Sequence, residues 1–185
     1  MNWLSRLFGR RRPNPAAERL YATLVAQART EAFYRAGRVP DTLDGRFELV
    51  VLHAFLVLRR LKAAGPEGAG LAQALFDRMF VDMDESLREI GVGDLSVGRR
   101  VKQMAQAFYG RAGAYEAALG AGVARALEGA LRRNLYGTVP EEEGLPLAAM
   151  AGYLRRAAAA LAAQPASALL AGTVNFPAPP VEFSP

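Results

Sequence analysis

Hydrophobic residues recur along most of this chain at intervals of three and four, the spacing that gives a helix one apolar face. No stretch shows the alternation of apolar and polar residues that is typical of a β-strand. The helical pattern occurs in six segments: 15–36, 43–64, 69–90, from Ser96 to at least Tyr115, 122–135 and 146–163. We therefore predict an all-α fold, a single irregular bundle of about six helices.

Two of these segments have patterns that indicate where they lie in the bundle. Residues 47–61 are apolar on nearly every face, which is typical of a helix buried at the centre. The third helix has a narrower apolar stripe, with carboxylates on its other face. We expect this stripe to face the core. It consists of Leu71, Leu75, Phe76, Met79, Phe80, Met83, Leu87 and Ile90.

Proline and glycine divide the chain into three parts. Residues 1–13 form a flexible N-terminal arm, and a helical domain follows over residues 14–172. Asn14 followed by Pro15 is a suitable cap and first turn for its first helix. Residues 173–185 are rich in proline and are predicted to form an extended tail, either free or packed against the domain.

The N-terminal arm has the pattern of a short helix that lies in a membrane interface. Trp3, Leu4, Leu7 and Phe8 share one helical face, and the arginines of the arm turn away from it or follow it. The longest strongly apolar run, 49–58, is well short of the ~20 residues that a spanning helix needs. We predict a weak peripheral membrane contact through these four residues, with a disordered start of the chain as the alternative.

The residue types needed for common catalytic and metal sites are scarce. The 185 residues include no cysteine and one histidine, His53. This excludes disulfides, thiolate zinc sites, cysteine nucleophiles and metal sites built on paired histidines. We predict no catalytic residue, no metal site and no cofactor, and therefore a protein that acts by binding.

His53 itself lies in the most apolar predicted helix, where a buried imidazole needs a hydrogen-bond partner. It can be a satisfied core residue, a contact to a partner, or a ligand or catalytic group. Haem ligation by two histidines of one chain is excluded.

The positive net charge is concentrated at the start of the chain. The net charge is +5, and four of the 23 basic residues fall within residues 1–12, which contain no acid. The remaining 19 basic and 18 acidic residues nearly cancel, which argues against a DNA-binding body. Residues 67–94 carry a balance of −5 and residues 95–135 one of +5, so these segments either face each other or form opposite poles.

Several strings along the body resemble the ubiquinol–cytochrome c chaperone family in order and spacing. They cover about residues 20–136. The strings are 39–49 (VPDTLDGRFEL), 52–53 (LH), 59–61 (RRL), 73–76 (QALF), 82–84 (DMD), 88–98 (REIGVGDLSVG) and 104–111 (MAQAFYGR).

The resemblance implies a chaperone that assembles the cytochrome bc1 complex, respiratory complex III. Mitochondrial members act with a small partner assembly factor near the ribosomal exit and receive newly made cytochrome b. This chain has no clear mitochondrial presequence, which favours a bacterial member at the cytoplasmic face of the inner membrane. The expected partners are cytochrome b, the ribosome and the small assembly factor.

A chaperone for a membrane subunit needs a surface that accepts an apolar segment of its client. The candidate client-binding residues around the first loop and second helix are Phe33, Tyr34, Val39, Pro40, Asp41, Arg46, His53 and Arg59. Those on the fourth helix are Arg99, Lys102, Tyr109 and Arg111.

Two other kinds of binding protein remain as alternatives. A ribosome- or RNA-associated module would use the basic residues of the second half and would bind with steep salt dependence. These residues are Arg99, Arg100, Lys102, Arg111, Arg132 and Arg133. A membrane-surface lipid-binding protein would depend on the N-terminal arm.

Overall fold

The structure, a computed structural model, describes residues 14–140 and 144–179, which form eight α-helices and no β-strand. The prediction of an all-α fold is confirmed, and the six longer helices correspond to the six predicted segments. The helices are α1 (Pro15–Ala28), α2 (Glu31–Arg35), α3 (Leu43–Lys62), α4 (Gly65–Glu89), α5 (Asp94–Gly120), α6 (Ala124–Asn134), α7 (Leu147–Ala163) and α8 (Ala166–Leu170).

Helix α3 lies at the centre of the bundle, as its apolar pattern predicts. Every residue from 48 to 57 is buried. Helix α3 packs against α1, α4, α5, α7 and α8. Around it, α1 packs on α4, α4 on α5, α5 on α6, and α6 on α7.

The prediction of one continuous first helix over residues 15–36 is wrong, because the helix is interrupted between α1 and α2. A continuous helix would carry the buried face of Leu24 and Ala28 on towards Glu31 and Arg35, both charged and exposed. The break instead turns the fully buried Phe33 into the core. The Tyr34 hydroxyl donates to the Ala28 carbonyl oxygen (3.0 Å), which satisfies an acceptor left free at the end of α1.

The described part of the tail, residues 173–179, is extended and lies against the body. The Gln164 side chain accepts the backbone N–H of Asn175 (2.9 Å) and donates to the carbonyl oxygen of the same residue (2.8 Å). Val174 is buried, and Gln27 donates to the Pro177 carbonyl oxygen (3.1 Å). Side-chain amides therefore hold this part of the tail largely by its backbone.

The structure tests only one of the two predictions about the membrane, that no helix spans it. Among the described residues, no helix combines the length and apolarity needed to cross a bilayer. Trp3, Leu4, Leu7 and Phe8 lie outside the described residues, so their predicted membrane contact stays a prediction.

Candidate partner-binding surface

The loop that joins α2 to α3 is clamped against the first turn of α3. The Val39 N–H donates to the Phe33 carbonyl oxygen (3.1 Å), and the Thr42 hydroxyl caps α3 by accepting the Gly45 N–H (3.2 Å). The Pro40 carbonyl oxygen lies only 2.0 Å from the point where a Cβ on residue 45 would stand. Only glycine allows so close an approach, so the loop has a fixed position.

The outer side of this loop and the start of α3 form an exposed patch, which we call the loop surface. It consists of the exposed Asp41, Leu43 and Arg46 and the half-buried Tyr34 and Pro40. Leu43 is 57% exposed, a large fraction for a leucine. Arg46 Nε donates to Asp41 Oδ1 (2.6 Å), and this hydrogen bond lowers the pKa of the Asp41 carboxyl. The loop surface thus combines apolar groups with an exposed ion pair, a mixture suited to protein contacts.

A second exposed patch, which we call the α5 face, consists of Arg99, Lys102 and Tyr109. These residues share one side of α5 because their spacings of three and seven match the helical repeat. Tyr109 is 63% exposed, and its ring centroid lies 5.4 Å from that of Phe76 on α4. Because Phe76 supports the Tyr109 ring, the ring is held rigidly and would lose little conformational entropy on binding a partner.

Glu48 and Arg111 form an ion pair that joins α3 to α5. Arg111 Nε lies 2.6 and 2.7 Å from the two Glu48 carboxylate oxygens, and its Nη2 also contacts Glu48. Glu48 is buried, and its desolvation raises the pKa of the carboxyl while Arg111 lowers it. The pair fixes α3, which begins at the loop surface, to α5. Arg111 thus has an internal partner, which was not foreseen from the sequence.

Three of the predicted client-binding residues are not on the surface. Phe33 and His53 are fully buried, and Val39 is 2% exposed. Their placement at a contact surface is therefore corrected. Phe33 of α2 and Val39 of the loop point into the core, and His53 lies in the middle of the central helix.

The His53 ring is completely satisfied inside the protein. Its Nδ1 lies 2.7 Å from the Leu49 carbonyl oxygen, which can only accept, so this nitrogen carries the proton. Its Nε2 then accepts the Tyr153 hydroxyl (2.8 Å), whose oxygen in turn accepts Gln27 Nε2 (3.1 Å). The ring also contacts Phe176 of the tail, at 5.2 Å between centroids. Of the three interpretations left open by the sequence, this geometry is that of a core histidine.

Burial makes His53 a source of acid sensitivity. Desolvation lowers the pKa of His53 from 6.5 to about 4, since the folded protein disfavours the charged imidazole. The unfolded chain therefore takes up the proton first as the pH falls below 6.5. We expect this group alone to remove about 3 kcal/mol of stability between pH 6.5 and pH 4.

This loss can be measured by urea unfolding across that pH range, with His53→Gln as the control that lacks the titrating group. The pH slope due to residue 53 should be absent in the variant. Because the chain has one histidine, an NMR titration of the folded protein reports its pKa directly. A value near 6.5 would contradict the expected mechanism.

Arg59 belongs to a different part of the surface from the loop. It lies 13 residues beyond Arg46 on the same helix, about 20 Å along the axis. Its Nε donates to Glu116 of α5 (2.9 Å), so it forms a second ion pair between α3 and α5, which is exposed whereas Glu48–Arg111 is largely buried. The structure therefore does not bring Arg59 together with the loop surface.

Metal-binding and catalytic sites were sought among the residues that the structure describes. Residues 14–140 and 144–179 contain no group of three histidine, cysteine or carboxylate side chains placed to hold a metal ion. A shallow groove of about 340 Å³ lies between α5 and α6. It is lined by alanine and glycine residues and by Arg125 and Arg133. It contains no nucleophile or base.

The structure defines the class of protein first: an all-helical protein with a packed core and two exposed patches, the loop surface and the α5 face. Comparison with known proteins is more specific. A family model described as ubiquinol–cytochrome c chaperone matches residues 35–176. This match spans most of the chain, and the protein belongs to the ubiquinol–cytochrome c chaperone family. The resemblance seen in the sequence is confirmed.

Individual relatives agree with this assignment. The chain is 27% identical over 120 residues to ubiquinol-cytochrome-c reductase complex assembly factor 1 of Xenopus laevis, covering 65% of this chain and 60% of the relative. For the mouse protein of that name the values are 28% over 94 residues, 51% and 32%. The chain thus spans less than two thirds of these relatives. The solved structure of the Cbp3 homolog from Brucella abortus matches with a TM-score of 0.81 at 38% identity, covering 95% of this chain and 93% of the other.

Proposed function

We propose that this protein is an assembly factor for the cytochrome bc1 complex, respiratory complex III, and that it holds newly made cytochrome b. The observation that carries the proposal is the family match over residues 35–176. The amphibian and mouse relatives are named as assembly factors of the ubiquinol–cytochrome c reductase complex. The 38% identity to the Brucella protein over nearly the whole chain supports a bacterial setting.

The loop surface and the α5 face are the proposed client contacts. Both present an exposed apolar or aromatic group, Leu43 and Tyr109, next to charged side chains. The transmembrane segments of a membrane subunit are apolar, and their ends are polar or charged, so a mixed surface matches the junction between the two. The Glu48–Arg111 pair connects the helices that carry the two patches. Client binding at both would then depend on one buried contact.

The cellular setting follows from this client. The protein would act at the cytoplasmic face of the bacterial inner membrane, where cytochrome b is inserted. Peripheral membrane contact through Trp3, Leu4, Leu7 and Phe8 would keep it near the client. The ribosome and a small partner assembly factor are the further proposed partners.

An RNA-associated role has less support from the arrangement of the basic residues. Two of the six residues on which it depends have internal partners. Arg111 pairs with Glu48, and Arg132 donates to the carbonyl oxygens of Tyr136 (2.6 Å) and Val139 (2.9 Å). A guanidinium used in this way is less available to a phosphate backbone.

Site-specific photocrosslinking tests the proposal. We expect a photoreactive residue at position 43 or 109 to capture cytochrome b in membranes of the native organism, in a complex that persists at high salt. The matched control is position 123, because Val123 is also a large exposed residue (56%) but lies between α5 and α6. Capture of ribosomal RNA alone, lost as salt rises, would reject cytochrome b as the client. Equal capture at position 123 would reject the two patches.

A further inference from the structure

The turn between α4 and α5 is a projecting tip that exposes two large apolar side chains. Ile90 is 58% exposed and Leu95 is 100% exposed. Residues 88–91 and 93–95 are all exposed, and Gly91 reverses the chain with φ of 84°. The sequence pattern placed Ile90 on the buried stripe of its helix, and this expectation is wrong. Helix α4 ends at Glu89, so the stripe stops at the buried Leu87.

The tip does not need these two side chains for its own structure. Leu87 and Val97 are its buried residues, and the Val92 N–H donates to the Leu87 carbonyl oxygen (3.0 Å) to close the turn. Single exposed apolar residues are common on protein surfaces and carry no meaning alone. At this tip, however, charged side chains lie close to Leu95 and Ile90, and this combination indicates a particular kind of contact.

Three cations follow the tip on the first turns of α5: Arg99, Arg100 and Lys102. All three are exposed, and none has an ion pair among residues 14–140 and 144–179. Arg99 and Lys102 lie on the same side of α5 as Leu95, about 6 and 10 Å further along the helix axis. Amphipathic segments bury their apolar groups ~5–10 Å into the boundary between headgroups and acyl chains. The cations would therefore stand at the level of the phosphates when Leu95 enters the bilayer.

The acidic residues of the tip do not cancel this charge. Asp94 is engaged by Arg88, which also pairs with Asp84 (2.6 Å). Glu85 and Glu89 are exposed and are the acids that would oppose an anionic surface. Residues 85–102 contain four basic and three acidic side chains, so the local charge remains positive, at +1. Positive charge beside exposed apolar side chains is complementary to an anionic lipid surface.

We propose that the α4–α5 tip is a docking surface for anionic phospholipid bilayers. Leu95 and Ile90 enter the interface, and Arg99, Arg100 and Lys102 contact the headgroup phosphates. A convex tip offers little area to a protein partner, whose specific interfaces need about 1,000 Å² or more, whereas a bilayer can surround it. This contact is separate from the N-terminal arm and does not depend on cytochrome b as the client. It shares Arg99 and Lys102 with the α5 face, so Tyr109 is the residue of that face left to the client when the tip is docked.

A fluorophore at the tip tests the proposal directly. Because the chain has no cysteine, Leu95→Cys can be labelled with an environment-sensitive dye in the full-length protein. The emission should shift to shorter wavelength with vesicles of phosphatidylcholine and phosphatidylglycerol, and much less with phosphatidylcholine alone. The matched control is Val123→Cys, at the opposite end of α5, where no shift is expected.

Charge removal provides the second measurement. Arg99→Gln and Lys102→Gln should each weaken binding to the anionic vesicles by about fivefold, whereas Arg125→Gln near the control position should leave it unchanged. If the protein binds vesicles while the dye at position 95 stays in water, the arm or another surface is the contact and the proposal is overturned. It is equally overturned if the dye responds only in native membranes, which would assign the tip to a protein partner, or if no vesicle binding occurs.

Discussion

Replacing Arg111 with methionine should destabilise the protein by about 3 kcal/mol at neutral pH, because it leaves a buried carboxylate without its partner. Glu48 is only 6% exposed, and Arg111 provides all of its ion-pair contacts that we describe. Methionine keeps much of the arginine stem's volume, so the loss measures the charge and not a cavity. Chemical unfolding at pH 7 gives the value. A cost below about 1 kcal/mol would mean that water solvates Glu48 when Arg111 is removed.

The pH dependence of this variant separates charge from packing. Without Arg111, the pKa of Glu48 rises further above its ordinary value, because desolvation and the nearby Asp44 carboxylate still raise it while the lowering by Arg111 is lost. An acid with a raised folded-state pKa costs stability above that pKa and stops doing so when it is protonated. The loss should therefore be greatest at neutral pH and should shrink as the pH falls through the raised pKa.

A double variant supplies the control for the same pair. Glu48→Gln combined with Arg111→Met removes both charges and keeps the volumes close to the original. We expect this combination to recover much of the stability that Arg111→Met loses. If the double variant is as unstable as the single one, packing of the arginine stem, and not the unpaired carboxylate, is the cause.

The fold could be predicted from the sequence because the helical periodicity is strong and the central helix is unusually apolar. Helix α3 is buried on all sides because four long helices, α1, α4, α5 and α7, surround it. Periodicity also gave the bounds of α3, α6 and α7 to within two residues. The break between α1 and α2 has a weaker signal. It requires comparing the face of Leu24 and Ala28 with that of Phe33, which lies one position off the repeat.

The exposed binding residues were harder to predict, because hydrophobic periodicity does not show whether an apolar side chain packs inside the protein or stays on its surface. Val39 and His53 lie within the strings shared with the family, and Phe33 lies shortly before the first of them, yet all three are core residues. Leu95 and Ile90 show the opposite error. They are exposed, although nothing in the local sequence pattern distinguishes them from buried residues. Exposure at a helix end depends on where the neighbouring helices stop, which is a property of the tertiary structure.

Gly45 is the residue on which the shape of the loop surface depends most directly. It lies in the first turn of α3, where its N–H is bound by Thr42 and its Cα faces the Pro40 carbonyl group. A Cβ would stand 2.0 Å from that oxygen and 3.0 Å from its carbon. These are backbone atoms, so no side-chain rotation can relieve the contact. The loop that carries Pro40 and Asp41 would have to move away from the helix.

Gly45→Ala should accordingly destabilise the protein by about 3 kcal/mol, an overpacking cost that exceeds the gain of about 1 kcal/mol from replacing glycine in a helix. The control is Gly113→Ala on α5, where no atom lies within 4 Å of the added Cβ, and which should stabilise by about 1 kcal/mol. The two substitutions are chemically identical, so opposite signs in chemical unfolding isolate the clash. Gly45→Ala should also reduce crosslinking from position 43 to cytochrome b, at a temperature where the variant is still folded. Unchanged crosslinking in a destabilised variant would separate the loop position from client binding and leave the α5 face as the contact.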